Sequence, residues 1–240
     1  GIKTGTFLHD LFEHLDFAEK DAVSVRNLVA EKLVEYGFEL KWEETIRDRV
    51  AKVLSLPLEP GRVDLRLSAI RKEERLNELE FTFPLKRTAP GVLSGLFSRH
   101  RRHGPIKRVP ERIGALTFAP VRGFMKGFVD MVFRFHDRFY LVDWKSNFLG
   151  PRVEDYGPKG LAAAMDAGFY TLQYHLYAVA LNQYLKLRLG GYRYERHFGG
   201  VYYIFLRGVD PEKGPEFGVF RDRPPKALID ELSSGLIGIS

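Results

Sequence analysis

The chain has 240 residues, which is long enough for one large domain that buries most of its apolar surface without covalent cross-links. It contains no cysteine, which excludes disulfide frameworks and zinc-thiolate centres, so any bound metal must be held by oxygen or imidazole ligands. Its 37 Lys and Arg against 31 Asp and Glu give a net charge of +6, a surplus that permits attraction to a polyanion without indicating one.

No run of about 18 apolar residues suggests a membrane span, and no basic and then apolar leader marks a signal peptide. We therefore expect a soluble, cytoplasmic protein without a membrane partner. The chain begins with Gly1 and enters a helical pattern at once. We expect residues 1–240 to form a single domain that was cut from a longer polypeptide.

The first part of the chain is predicted to be helical, because apolar residues recur at three- and four-residue intervals. The three predicted helices lie at about residues 4–15, 23–36 and 42–56. A strand follows at about residues 76–85, where apolar residues alternate with polar ones. This alternation places Glu78 and Glu80 on one face of the strand.

Residues 86–120 are rich in Gly, Pro and Ser and are predicted to form a long loop with a short helix. The segment contains a basic cluster formed by Arg99, Arg101, Arg102, Lys107 and Arg108. A flexible basic loop can follow the phosphates of a nucleic acid. An ordinary solvated loop, or a contact with another subunit, would have the same composition.

The rest of the chain contains further strands and helices. They are strands at about residues 123–135, 138–145 and 200–206, a helical region at residues 161–189 that is interrupted near Gly168, and a short helix after Pro225. Only His136 and Asp137 separate the first two of these strands, which is too short for a crossover connection. The three early strands should therefore be antiparallel neighbours in one α/β domain with a mixed sheet.

The strongest chemical signal is a pair of acids and a lysine on the two strands that this short connection joins. If His136 and Asp137 form a two-residue hairpin turn, Asp130 lies directly opposite Asp143. Lys145 lies two residues farther along, on the same face. Like charges that face each other across a hairpin destabilise it unless a cation compensates them, and a divalent metal supplies such a cation.

A plainer interpretation exists for the same residues. An aspartate and a lysine two apart on an exposed strand occur often, with the lysine neutralising the acids. A one-residue shift of the turn would also send Asp143 to the opposite face. The three residues alone do not decide between a metal site and a neutralised strand surface.

Longer stretches resemble a known family. The pattern G-x-x-D in residues 127–130, followed by D-x-K in residues 143–145, resembles the PD-(D/E)xK nuclease superfamily. The stretches that are similar to the nuclease domains of the RecB family, the helicase-nuclease subunits of exonuclease V, are residues 123–130, 141–147 and 197–210. The resemblance covers nearly the whole chain and is weakest over residues 86–120. Trp144 stands where the family more often has tyrosine.

This resemblance implies a restriction-endonuclease-like fold, with a mixed sheet flanked by helices and a helical N-terminal part. It implies that Asp130 and Asp143 hold Mg²⁺ and that Lys145 lies beside the attacking water. Gln173 and Tyr177 match the family's Q-x-x-x-Y motif, and their spacing places both on one face of a helix. The resemblance implies that these two contact the DNA backbone or support the catalytic lysine.

The resemblance adds two further metal ligands. His9 matches the histidine of the family motif G-x-x-x-H, although a lone histidine on an amphipathic helix is more often a core residue or a partner of an acid such as Glu13. Imidazole is also an unusual ligand for Mg²⁺, which prefers oxygen. The second ligand is a glutamate on the preceding strand, for which we prefer Glu80 to Glu78.

The function that the resemblance implies is Mg²⁺-dependent hydrolysis of single- and double-stranded DNA, by a domain at the C-terminal end of a longer helicase-nuclease subunit. It also implies contacts with RecC and RecD type subunits and with a RecA type recombinase. Two alternatives remain: a catalytically inactive nuclease-fold module that binds DNA or other subunits, and a stand-alone restriction-type endonuclease. The intact set of Asp130, Asp143 and Lys145 argues against the inactive module, because a scaffold does not need two facing acids.

Overall fold

A five-stranded mixed sheet forms the centre of the computed structural model, which describes residues 1–19, 21–116 and 121–238. The strands are β1 (Arg75–Thr88), β2 (Val121–Phe135), β3 (Arg138–Lys145), β4 (Phe198–Phe205) and β5 (Val219–Asp222). They lie in the order β1-β2-β3-β4-β5, in which β3 and β4 are parallel and all other neighbours are antiparallel. The predicted mixed sheet and its three antiparallel early strands are confirmed.

Helices cover both faces of this sheet. Within the described residues they are α1 (Ile2–His14), α2 (Ala22–Glu35), α3 (Glu43–Ser55), α4 (Pro90–Ser98), α5 (Val109–Gly114), α6 (Pro158–Ala167), α7 (Tyr170–Arg188), α8 (Tyr194–His197) and α9 (Lys226–Leu236). In this part of the chain, no helix combines the length and the apolar character needed to cross a bilayer.

The N-terminal helices α1, α2 and α3 form the layer on one face. Helix α1 buries Phe7, Leu8, Leu11 and Phe12 at the three- and four-residue spacing that the sequence shows. The ring of Phe12 stacks on Trp144 of β3 with 4.8 Å between ring centroids. This first core cluster fixes α1 against the end of β3.

Helices α4, α5, α7 and α9 contribute to a second core cluster on the other face of the sheet. The connection between parallel strands β3 and β4 runs through α6 and α7, as a parallel pair requires a long crossover. The two helices are separated at Gly168 and Phe169, and Phe169 has a left-handed φ of 55°. The interruption predicted near Gly168 is confirmed.

The prediction of a long loop at residues 86–120 is wrong over much of its length. Helices α4 and α5 and the short 3-10 helix Gly104–Ile106 occupy it, while residues 117–120 lie outside the described residues. The helices form because Phe97, Ile106 and Ile113 are buried in the second core cluster, and tertiary packing of this kind outweighs weak helix propensity. The short edge strand β5 was not predicted from the sequence.

Candidate active site

The β2–β3 hairpin has the register that a two-residue turn dictates. Phe135 pairs with Arg138 and each further pair follows without a shift as far as Met131 and Val142, so the next position sets Asp130 opposite Asp143. The turn is confirmed. The backbone N–H of Trp144 donates a hydrogen bond to Oδ2 of Asp130 at 2.8 Å, which fixes that carboxylate at the end of the paired segment.

Strand β2 changes face at Asp130. Val129 and Met131 are two residues apart and would share a face in a regular strand, yet they are buried in different core clusters. On β1, the residue opposite Asp130 is Glu78, and its φ of 49° departs from extended geometry. This irregular pair of positions lets the Asp130 carboxylate reach Asp143 on the α7 side while it also lies beside α1.

Asp143 is the most constrained ionisable group of the site. It is only 4% exposed. Burial, and to a smaller extent the neighbouring Asp130, raises the pKa of its carboxyl to about 7, although an ion pair with the Lys145 ammonium acts in the opposite direction. Among the described residues the Lys145 ammonium pairs with Asp143, whereas the ion-pair partner of Asp130 is the imidazole of His9. Carboxylate oxygens are the ligands that Mg²⁺ prefers, so the donor chemistry of this pair suits that cation.

Side chains from α7 and β4 surround the Lys145 ammonium. Its Nζ is 4.0 Å from the ring centroid of Tyr170, 5.0 Å from that of Tyr203 and 3.5 Å from Oε1 of Gln173. The Tyr203 hydroxyl donates to the same Oε1 at 2.9 Å, and Nε2 of Gln173 donates to the Tyr177 hydroxyl at 2.9 Å. The Gln173 amide is therefore fixed with its oxygen toward the ammonium.

Tyr177 completes this side of the site. Burial, together with the charges of Asp143 and Asp130, raises the pKa of the Tyr177 hydroxyl to about 12. The hydroxyl stays neutral at physiological pH and keeps a proton to donate. Gln173 and Tyr177, which the sequence motif paired, thus lie together beside the acids and the lysine.

Helix α1 brings His9 to the opposite side. Its Nδ1 lies 3.5 Å from Oδ2 of Asp130. A Cβ atom added to Gly5, one helical turn earlier, would lie 3.0 Å from Oγ of Ser146, so glycine at this position allows α1 to approach the end of β3 closely. The spacing of Gly5 and His9 therefore couples close packing of the helix to delivery of the imidazole.

The structure does not bring the predicted glutamate into contact with the acids. Glu80 is exposed and its Oε1 lies 2.9 Å from Nζ of Lys126. Glu78, also exposed, is the residue opposite Asp130. Both glutamates lie one strand away from the carboxylate pair, and Glu80 remains a prediction.

The predicted basic cluster lies on the α4–α5 segment, and much of its charge is paired within the chain. The ion pairs are Arg99 with Glu231 at 2.7 Å, Arg101 with Glu111 at 2.7 Å and Arg108 with Asp166 at 3.3 Å. Arg102 and Lys107 have no ion-pair partner among the residues that the structure describes. These two cations are the members of the cluster that are available to phosphates.

A second group of potential ligands lies on α1, where Asp10, Glu13 and His14 bring ligand atoms within 4.8 Å of one another. Asp10 already pairs with Lys32 at 2.7 Å. An acidic group that is neutralised in this way needs no metal, and we assign none to it.

The positions of Tyr170 and Tyr203 beside Lys145 were not predicted from the sequence. Both rings lie within 5.0 Å of the Lys145 ammonium. Tyr203 is part of an apolar strand and is 1% exposed, so its sequence context is that of a core aromatic. Only the parallel pairing of β3 with β4, which places Tyr203 beside Asp143, shows that its hydroxyl faces the site.

No family model matches the chain, but individual proteins do. It is 43% identical to "RecBCD enzyme subunit RecB" of Escherichia coli K12 over 240 residues, which covers 98% of this chain and 19% of that protein. It is 33% identical to the RecB subunit of Mycolicibacterium smegmatis, covering 97% of this chain and 24% of the relative. It is 31% identical to the RecB subunit of Buchnera aphidicola subsp. Schizaphis graminum, covering 97% of this chain and 19% of that relative.

The chain thus spans about a fifth of the length of these relatives. Their matches extend over nearly all of this chain, including the hairpin with its two acids and the α7 motif. The resemblance found in the sequence is confirmed: this chain is a homologue of the C-terminal region of RecB subunits.

Proposed function

We propose that this chain is a Mg²⁺-dependent deoxyribonuclease domain of a RecBCD-type helicase-nuclease, and that it forms one domain at the C-terminal end of a longer subunit. The observation that supports this proposal most strongly is the convergence of Asp130, Asp143 and Lys145 at one end of the hairpin. A buried carboxylate beside a second acid costs free energy unless a cation compensates it. The homology to RecB subunits supports the same function.

In this proposal Asp130 and Asp143 hold the metal, with Glu80 and His9 as additional ligands. Mg²⁺ supplies the positive charge that polarises the scissile phosphate and makes water a better nucleophile. The imidazole of His9 is a weaker ligand for this hard ion than the carboxylates. Its position beside Asp130 also suits a role in orienting that carboxylate.

The chain's own residues position and polarise the reactants. The Lys145 ammonium orients the attacking water and stabilises negative charge that develops on the phosphate. Gln173 holds the ammonium through its fixed amide oxygen. The neutral Tyr177 hydroxyl is a hydrogen-bond donor for a phosphate oxygen of the DNA backbone.

The proposed substrates are single- and double-stranded DNA. The relatives are named as subunits of the RecBCD enzyme, so we propose that this domain works beside RecC and RecD type subunits. Contact with a RecA type recombinase is a further part of the proposal, which rests on the family resemblance.

The test separates metal binding from chemistry within the D-x-K motif. Asp143→Ala should weaken Mg²⁺ binding and abolish cleavage together. Lys145→Ala should bind Mg²⁺ equally well or more tightly at a pH above the Asp143 pKa, because a repelling charge is gone. It should nevertheless slow cleavage by about 10² to 10⁴, as expected for a lost acid–base or charge-stabilising group. Calorimetry and single-turnover cleavage of labelled single- and double-stranded DNA measure the two quantities.

The matched control is the exposed pair of Asp48 and Lys52 on α3, whose charged atoms are 2.9 Å apart. Replacing either residue by alanine should change neither Mg²⁺ binding nor the rate of cleavage. Parent-like cleavage by Lys145→Ala, or parent-like metal binding by Asp143→Ala, would refute the proposed site. A parent chain that binds Mg²⁺ and DNA but never cleaves would instead support the inactive-module alternative.

A further inference from the structure

A hairpin arm extends beyond the rest of the sheet. It consists of residues 79–85 of β1 and 123–129 of β2, which pair with each other in antiparallel register. The pairing of β2 with β3 begins only at Met131. In the part of the chain that the structure describes, these residues of β2 therefore have a strand neighbour on one side only.

The two faces of the arm differ in character. On the inner face, Phe81 packs against Tyr177 of α7 with 5.7 Å between ring centroids. On the outer face, Phe124, Lys126 and Phe128 form a row that alternates with less exposed residues. Phe124 is 75% exposed and Phe128 is 47% exposed. Two exposed phenylalanines in one row make this face a candidate recognition surface, because contiguous exposed apolar surface often marks a binding site.

The outer row ends beside the candidate active site in the order of residues along β2. Phe128 lies two residues before Asp130, and Glu80 lies directly opposite Phe128 on β1. Successive members of the row are about 6.6 to 6.8 Å apart along the strand. The Cα atom of Phe128 is therefore about one such step along β2 from that of Asp130, the residue that we propose as a metal ligand, and the strand changes face between the two.

The row also has the charge that a nucleic-acid strand requires. Lys126 lies between the two phenylalanines in the row, and its Nζ is 5.3 Å from the ring centroid of Phe128. Its partner is Glu80, and both side chains of this ion pair are more than half exposed. Such pairs contribute little to stability, so the ammonium can exchange the carboxylate for a phosphate at low cost.

We propose that Phe124, Lys126 and Phe128 form a single-stranded DNA platform that guides the strand to the catalytic acids. Bases stack on the two phenylalanine rings, and a phosphate between them pairs with Lys126. The two phenylalanines are two such steps, or roughly 13 Å, apart along the strand. This spacing exceeds the ~3.4 Å rise per nucleotide of a duplex strand, so the platform requires an extended strand with unstacked bases. This inference rests on the proposed nuclease function and defines the form of DNA that enters the site.

The platform is tested by the binding of a fluorescein-labelled oligothymidylate to the chain in EDTA, measured by fluorescence anisotropy. Phe128→Ala and Phe124→Ala should each weaken binding by about fivefold or more, the loss expected for one stacked base. Phe128→Trp should restore binding, because it keeps an aromatic face. Lys126→Gln should reduce the slope of log affinity against log salt by about 0.7.

Two controls separate stacking from other effects. Trp42→Ala removes an aromatic side chain that is also 47% exposed but lies at the start of α3, and it should not alter binding. An oligomer of abasic nucleotides should bind the parent and Phe128→Ala equally. If both alanine variants bound oligothymidylate as tightly as the parent, the platform would be refuted and the row would be assigned to a protein contact. Because EDTA prevents metal-dependent cleavage, this result is independent of whether the parent cleaves DNA in Mg²⁺.

Discussion

Mg²⁺ binding by this chain should tighten about tenfold as the pH rises from about 6 to about 8. The cause is the Asp143 carboxyl, whose pKa is raised to about 7 by burial and by the adjacent Asp130. A metal ligand must be ionised, so a proton competes with the cation for this carboxyl. No substitution is needed to observe this effect, because a change of pH alone alters the ionisation of Asp143.

The size of the change in Mg²⁺ affinity follows from the ionised fraction of Asp143. One pH unit below a pKa of about 7, roughly one carboxyl in ten is ionised, and one unit above it roughly nine in ten are ionised. The apparent affinity follows this fraction, so the ratio is about tenfold, or about 1.4 kcal/mol. Over the same interval, the number of protons released per bound metal should fall from nearly one to nearly none.

Calorimetric titration with Mg²⁺ in buffers of different ionisation enthalpy measures both the affinity and the proton release. Asp143→Asn has no proton to lose and should show a flat pH profile at weaker affinity. Lys145→Ala should move the transition to higher pH, because the ammonium lowers the pKa of Asp143. If the affinity of the parent stayed constant over this range, or if the pH dependence persisted in Asp143→Asn, the Asp143 proton would not control Mg²⁺ binding.

The same proton should make the metal-free fold less stable as the pH rises. The unfolded carboxyl has a pKa near 3.9, whereas the folded one has a pKa of about 7. Between these values the folded chain holds a proton that the unfolded chain has lost, so the free energy of unfolding falls by roughly 1.4 kcal/mol per pH unit. Urea unfolding in EDTA should show this trend in the parent relative to Asp143→Asn, and parallel pH profiles of the two would contradict it.

Three further outcomes are expected. His9→Ala should slow cleavage in Mg²⁺, and a parent-like rate would return His9 to a packing role. Glu80→Gln should weaken Mg²⁺ binding more than Glu78→Gln does, and calorimetry that shows the reverse order would transfer the ligand to the residue opposite Asp130. Replacing both Arg102 and Lys107 by alanine should reduce the slope of log affinity against log salt by about 0.7 per lost phosphate contact on single-stranded DNA. An unchanged slope would leave the α4–α5 segment without a role in DNA binding.

The central hairpin could be predicted because local chemistry determines it. Two residues between strands allow one register, and that register sets Asp130 opposite Asp143. The spacing of Gln173 and Tyr177 on one helix is equally local. The hydrogen bonds that Gln173 accepts from Lys145 and Tyr203 depend on how α7 packs over the sheet, so no sequence spacing could specify them.

Two other features could not be predicted for a related reason. Helices α4 and α5 depend on burial of side chains such as Phe97 and Ile113 against distant elements, and their own composition favours a loop. The ion pairs of the basic cluster could not be predicted from the local sequence, because one of the partners, Glu231, is 132 residues away from Arg99. Long-range ion pairs of this kind change which cations are available without leaving any trace in the local sequence.

Because β2 changes face at Asp130, the segments before and after this residue are under different structural constraints. On its C-terminal side β2 is bound by the packing of Met131 into the first core cluster, where a change of volume disturbs the fold. On its N-terminal side the exposed positions, such as Phe124, face solvent and can vary at little cost to the core. The exposed row of the arm can therefore vary among homologues while Asp130 and Asp143 keep their geometry.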